Sequence, residues 1–132
     1  MVVAPARRED SVGPILLADD SAMTRLVLRA QLESLSVPIL EAADGQTALD
    51  LARAEHPRVA VLDLNMPKLN GFEVCAQLKA DKATQDIQVF ILTGHAEGDV
   101  EGNALSAGAD GYFAKPLGIR ALCERIATVL GS

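Results

Sequence analysis

Ile15-Leu16-Leu17-Ala18-Asp19-Asp20 and, further along, Val59-Ala60-Val61-Leu62-Asp63 decide how this chain is read. Each is an apolar run of strand length that ends in carboxylate. The first leads straight into Ser21, a residue suited to capping a helix. Acidic groups at the carboxyl ends of two buried strands share one edge of a parallel sheet. Open α/β folds place their ligand sites at that edge.

Working outward from Pro14, apolar runs of strand length alternate with helical periodicity. The first strand is expected over residues 15–19. A helix follows from the Ser21 cap to about Leu35, with Leu28, Leu32 and Leu35 on one stripe. Residues 38–42 form a short second strand. Asp44 caps a second helix running to about Glu55, with Ala48, Leu51 and Ala52 inward, and Pro57 stops it. Val59–Asp63, apolar until its last residue, belongs in the middle of the sheet. The loop 64–70 carries Pro67 and leads to Gly71 and a third helix with Phe72, Cys75 and Leu78 facing inward. Residues 87–92 give a fourth strand and 111–114 a short fifth. The closing helix spans 117–130 on Leu122, Ile126 and Val129. The weakest helix lies around 100–107, with Gly102 and Asn103 inside, where an internal Gly costs about 1 kcal/mol relative to Ala, so it is expected to be short or mobile. The order predicts an α/β fold, a doubly wound five-stranded parallel sheet with five helices and right-handed crossovers.

At 132 residues and 49% hydrophobic, the chain suits one domain (residues 14–131) behind a flexible N-terminal tail, 1–13. A net charge of −6 argues against direct nucleic-acid binding, which needs clustered Lys and Arg. No run is long enough to cross a membrane, and the tail lacks the apolar core of a signal peptide, so a soluble, cytoplasmic protein is expected. Cys75 and Cys123 fall at apolar helix positions without any CxxC or Cys/His cluster and are read as buried free thiols.

On this frame Asp19, Asp20, Asp63, Thr93-Gly94 and Lys115-Pro116 all follow strands at the same edge. Three crowded carboxylates repel one another unless cations neutralise them. Lys115 supplies one charge, and a divalent ion would supply two more. Oxygen-only ligands without a cage suit Mg²⁺, which retains waters and accepts a phosphoryl oxygen. The Thr93 hydroxyl and Lys115 ammonium would then hold that phosphoryl group. A carboxylate can attack phosphorus to give an acyl phosphate. The parts add up to metal-assisted phosphoryl transfer onto an aspartate.

Taken together, Asp19-Asp20, the run Asp63-Leu64-Asn65-Met66-Pro67 with Gly71, then Thr93-Gly94, Tyr112 and Lys115-Pro116, resemble a CheY-like receiver domain of two-component response regulators. The match covers residues 14–130. The resemblance implies a flavodoxin-like sheet in the order 2-1-3-4-5. It implies Asp63 as phosphoacceptor, and Mg²⁺ (or Mn²⁺ in its place) held by Asp20, Asp63 and the backbone carbonyl of Asn65. Asp19 would act mainly through a water. Lys115 would pair with a phosphoryl oxygen, its bond to Pro116 being cis. Thr93 would move inward on phosphorylation and Tyr112 would change rotamer with it, biasing a protein-interaction surface of helix four, strand five and helix five.

The donor implied is a histidine kinase or histidine phosphotransfer protein. Its candidate docking residues are Met23, Leu26 and Val27, on a first helix with more apolar surface than one core stripe needs, together with Leu117 beyond the lysine loop. Output is expected through a downstream effector protein, from a stand-alone, single-domain regulator that is a monomer or a phosphorylation-dependent dimer. Such a chain modifies itself and is not a turnover enzyme. His95, two residues beyond Thr93, would sit with Asn65 at the rim that controls water access, although an exposed loop histidine is the simpler account. His56 is given no chemical role, and Glu97, Asp99 and Glu101 read as a solvated loop and helix start.

Two other classes were weighed. A constitutive interaction module would not need an intact acidic cluster beside Lys115. An enzyme on a similar sheet would need a glycine-rich loop after the first strand, which Ala18-Asp19-Asp20-Ser21 does not provide. An aspartate phosphatase would use a second carboxylate two residues beyond Asp63, where Asn65 stands.

Overall fold

Ile15, Leu16, Leu17 and Ala18 are all buried, so this strand must be covered on both faces. The computed structural model describes residues 14–94, 100–116 and 118–131. Its strands are β1 Ile15–Ala18, β2 Ile39–Ala42, β3 Val59–Asp63, β4 Gln88–Thr93 and β5 Gly111–Ala114. Its helices are α1 Ala22–Leu32, α2 Gly45–Glu55, α3 Gly71–Ala80, α4 Val100–Ser106 and α5 Gly118–Gly131. All strand pairs are parallel, in the order β2-β1-β3-β4-β5. The expected order and the expected alternation of strand and helix are both present.

Successive residues on each strand point to opposite faces. Leu16, Ala60, Leu62, Val89 and Ile91 pack with α2, α3 and Ala104 of α4. Ile15, Leu17, Val61, Phe90 and Leu92 pack with Leu28 and Leu32 of α1 and Ile119, Leu122 and Ile126 of α5. The two layers fix which way every strand-end residue points.

Helix starts are set by their caps. Ser21 accepts from the Thr24 N–H and Asp44 from the Thr47 N–H. At α3, Asn70 and Glu73 bond each other's backbone N–H reciprocally, each at 2.8 Å. The helix expected to reach Leu35 stops at Leu32 and tightens into a 3₁₀ turn over Glu33–Leu35, closed by Ser36 in the left-handed region at φ 57°. Asp19 lies just past β1, and Thr93 is the last residue of β4. On α2 the buried leucine is Leu49, with Leu51 half-buried; on α3 it is Val74 that is buried, with Phe72 half-buried. Cys75 is buried as expected, but Cys123 is half-exposed, because it lies beside the buried stripe of Ile119, Leu122 and Ile126.

The described residues give α4 seven residues, Val100–Ser106. Its C-terminal end is tied down firmly. Cys75 Sγ donates to the Ala107 carbonyl at 3.4 Å, and Lys79 Nζ lies 3.0 Å from Asp110 Oδ2. Asp110 also pairs with Val89 twice: its carboxylate accepts from the Val89 N–H at 2.8 Å and its own N–H donates to the Val89 carbonyl at 2.7 Å.

Candidate functional site

Parallel strands and right-handed crossovers put the carboxyl ends of β1, β3, β4 and β5 along one edge. Asp19 and Asp20 emerge from β1, Asp63 ends β3, Thr93 ends β4, and Lys115 follows β5. Register does the alignment: Ala18 stands opposite Leu62, Asp63 opposite Leu92, and Thr93 opposite Ala114.

Asp19, Asp20 and Asp63 each offer an oxygen, and these oxygens lie within 4.8 Å of one another. Asp19 and Asp63 are 1% and 4% exposed, whereas Asp20 opens to solvent. Lys115 Nζ lies 2.8 Å from Asp19 Oδ2 and 3.5 Å from Asp63 Oδ1. The closer contact is an ion pair, and it is the one that the buried Asp19 Oδ2 makes among the described residues. The other Asp19 oxygen accepts from the Ser21 N–H at 2.9 Å.

Among the described residues one ammonium thus sits against the cluster, pairing with two of its three carboxylates, and the imbalance shows in the acid–base behaviour. Burial, reinforced by the neighbouring Asp19 charge and only partly opposed by Lys115, pushes the Asp63 carboxyl up to about 6. Burial pulls the Lys115 ammonium down, but the bond to Asp19 and the charges of Asp63 and Asp19 outweigh it and raise its pKa. A second cation at the open mouth would relieve both strains. The donor set (oxygens only, clustered in a cleft open on one side at Asp20) fits Mg²⁺.

The loop between β3 and α3 is held by close backbone approach. The Gly71 N–H donates to the Leu64 carbonyl at 3.0 Å, and a Cβ there would come within 2.7 Å of the Asp63 carbonyl oxygen. Gly45 donates to the Pro67 carbonyl at 3.1 Å, and a side chain on it would collide with the backbone of Leu69. Asn65 is exposed on this loop and Met66 is buried beneath it.

Thr93 is fully buried, and its carbonyl accepts the Lys115 N–H at 2.7 Å. Tyr112 stands opposite Ile91, so it shares a sheet face with Thr93, and it is 37% exposed. The Lys115–Pro116 bond is cis, as the resemblance implied. Met23, Leu26 and Val27 are exposed on α1, at 67%, 60% and 37%, on the face turned away from Leu28 and Leu32. Leu26 also lines a groove of about 430 Å³ with Ala30, Val37 and Ile39. The tail 1–13, His95, Glu97, Asp99 and Leu117, and the side chain of Glu101, lie outside the described residues.

Sequence reasoning overlooked Arg25. Its Nη1 donates to the Asp19 carbonyl at 2.6 Å and its Nε to Glu41 of β2 at 2.8 Å. The two glycines that hold the β3–α3 loop also carried more weight than their helix-start positions suggested.

The family model described as "Response regulator receiver domain" matches residues 15–127. A probable transcriptional regulator, ycf27, of Porphyridium aerugineum is 38% identical over 116 residues, covering 88% of this chain and 47% of that protein. Response regulator MprA of Mycolicibacterium vanbaalenii is 36% identical over 116 residues, covering 88% and 49%. The chain therefore spans about half the length of the curated relatives it matches. Among solved structures, the receiver domain of a sensor histidine kinase from Pseudomonas aeruginosa superposes with a TM-score of 0.80 at 28% identity, covering 91% of this chain and 98% of that one. That structure has a magnesium ion coordinated in its active-site cleft. The chemotaxis response regulator CheY4 of Vibrio cholerae gives 0.79 at 25% identity, covering 89% and 98%.

Proposed function

The chain belongs to the response regulator receiver domain family of two-component systems, and on that premise we propose that Asp63 carries a transient phosphoryl group taken from a phosphohistidine. The observation that carries the reading is the trio of carboxylate oxygens within 4.8 Å of one another, with the Lys115 ammonium against Asp19 and Asp63. Asp20, Asp63 and the Asn65 carbonyl would hold Mg²⁺ (or Mn²⁺), with Asp19 acting mainly through a water. Bound there, the ion neutralises charge that develops on the phosphoryl oxygens during in-line displacement.

An Asp63 oxygen attacks phosphorus, the P–N bond to the donor imidazole breaks, and the imidazole leaves with its electron pair and takes up a proton. The product is an acyl phosphate on Asp63. Lys115, already 3.5 Å from Asp63, pairs with one phosphoryl oxygen, and Thr93 bonds another. Water later attacks phosphorus, releases phosphate and restores the carboxylate. The chain thus modifies and resets its own side chain, without turning over a free substrate.

Receiver domains interact with histidine kinases and with downstream effectors. The donor, a histidine kinase or phosphotransfer protein, docks on the exposed Met23, Leu26 and Val27 of α1, with Leu117 beyond the lysine loop. Movement of Thr93 toward the phosphoryl group opens space for Tyr112, now 37% exposed, and biases the surface of α4, β5 and α5 toward a second state. Among the described residues no helix is long and apolar enough to cross a membrane. The test is incubation with acetyl phosphate and Mg²⁺, read by intact mass. The expected result is one added phosphoryl group, absent in Asp63→Asn and absent in EDTA. Labelling of Asp63→Asn to the same stoichiometry would overturn the assignment.

A further inference from the structure

Resting on the metal reading above, we propose that Arg25 is a positioning residue that sets the metal affinity of the acidic pocket by fixing the Asp19–Asp20 peptide. The guanidinium touches no carboxylate of the pocket in the described contacts. It reaches the pocket through the main chain. Nη1 donates to the Asp19 carbonyl at 2.6 Å, while Nε is anchored on Glu41 Oε1 at 2.8 Å. Glu41 is itself held from its other oxygen by Arg29 Nη1 at 2.9 Å. The Arg25 side chain is only 17% exposed, so the fork is largely shielded from competing water.

Asp19 is gripped from its amide as well, because its N–H donates to the Ala42 carbonyl at the end of β2 at 3.0 Å. The residue is pinned at N–H by β2, at C=O by α1 and at Oδ1 by the Ser21 N–H. The peptide that follows begins Asp20, the pocket carboxylate that is exposed. Holding the Asp19 carbonyl fixes the plane of that peptide, and with it the direction in which Asp20 leaves the strand. Each well-aligned carboxylate matters for an ion that demands near-octahedral oxygen geometry.

The sign of the effect separates positioning from charge. Acting through charge alone, a cation beside three carboxylates opposes a second cation, so removing it would tighten Mg²⁺ binding. Acting through the peptide, its removal frees Asp20 and weakens binding. Arg25→Met, Arg25→Lys and Glu41→Gln are to be titrated with MgCl₂ by calorimetry. In parallel, the ¹³C shift of the Asp19 carbonyl is followed by NMR and the fold by thermal melting. The expected result for Arg25→Met is a three- to tenfold weaker Kd, about what one lost hydrogen bond supplies, with an altered Asp19 carbonyl shift. Arg25→Lys keeps the charge but not the fork and is expected to weaken binding as well. Glu41→Gln is expected to fall between Arg25→Lys and the unaltered chain. Binding by Arg25→Met as tight as, or tighter than, that of the unaltered chain overturns the inference alone. Should the unaltered chain bind no Mg²⁺, the metal reading fails and takes this inference with it. If Arg25→Met melts too low to titrate, Arg25→Lys decides, because it keeps the charge: unchanged affinity with an unchanged Asp19 shift overturns the proposal.

Discussion

Asp63→Asn should make the metal-free protein more stable while removing its function. Burial and Asp19 raise the Asp63 carboxyl from the usual 3.8 to about 6. A carboxyl whose pKa is raised by folding binds its proton more tightly in the folded state. Its ionisation therefore costs stability as pH climbs from about 4 through about 6, and the whole cost is present at pH 8. A shift of roughly 2 units at ~1.36 kcal/mol each sets an upper limit of about 3 kcal/mol. Water reaching the pocket past Asp20 screens part of this, which leaves about 1–2 kcal/mol. For a domain of this size that corresponds to about 3–10 °C in Tm. The assay is calorimetric melting of both proteins in EDTA from pH 8 down to pH 4.5. Asp63→Asn should melt higher at pH 8, and by pH 4.5 the gap should shrink to about half. A variant that melts at or below the parent at pH 8, or a gap indifferent to pH, would refute the idea that uncompensated charge accumulates at Asp63.

Gly71→Ala should cost about 2–4 kcal/mol in denaturant melts and slow phosphate uptake, since its Cβ would press within 2.7 Å of the Asp63 carbonyl oxygen; unchanged uptake would show that the loop yields without disturbing Asp63. Thr93→Ala should still accept phosphate but leave Tyr112 unresponsive. With one Tyr and no Trp in the chain, intrinsic fluorescence reads that residue alone. Burial raises both thiols, Cys75 and Cys123, to about 11, so neither should react readily with iodoacetamide at pH 8 until the protein is unfolded. Fast native labelling of buried Cys75 would contradict its packing. Phe90→Ala should cost about 3–5 kcal/mol, because Phe90 is fully buried edge-on to Phe113 at 5.9 Å.

Helix count and the meeting of Asp19, Asp20, Asp63, Thr93 and Lys115 at one edge were legible because strand ends are written in hydrophobicity, whereas the strand order came from the family resemblance. An apolar run such as 59–62 stops where Asp63 begins, and parallel topology carries every such end to the same side. Helix faces were less legible. On α2 the choice of Leu51 over Leu49 followed a stripe of small residues, whereas the helix is rotated so that Leu49 enters the core. The end of α1 was misplaced because Leu35 continues the apolar spacing, while Ser36 takes a left-handed backbone that no pattern announces. Arg25 was invisible for a different reason. Its partners are a main-chain carbonyl and a glutamate on another strand, and neither leaves a local mark around residue 25.

The moorings at the tail of α4 have a mechanical consequence. Cys75, Lys79 and Val89 fasten Ala107 and Asp110 to the body of the domain. Ala104, buried in the core, holds the middle of the same helix. Asp110 leads straight into Gly111, the first residue of β5. Helix exit and the strand that carries Tyr112 are thus knotted together, and a strain on either one is felt by the other.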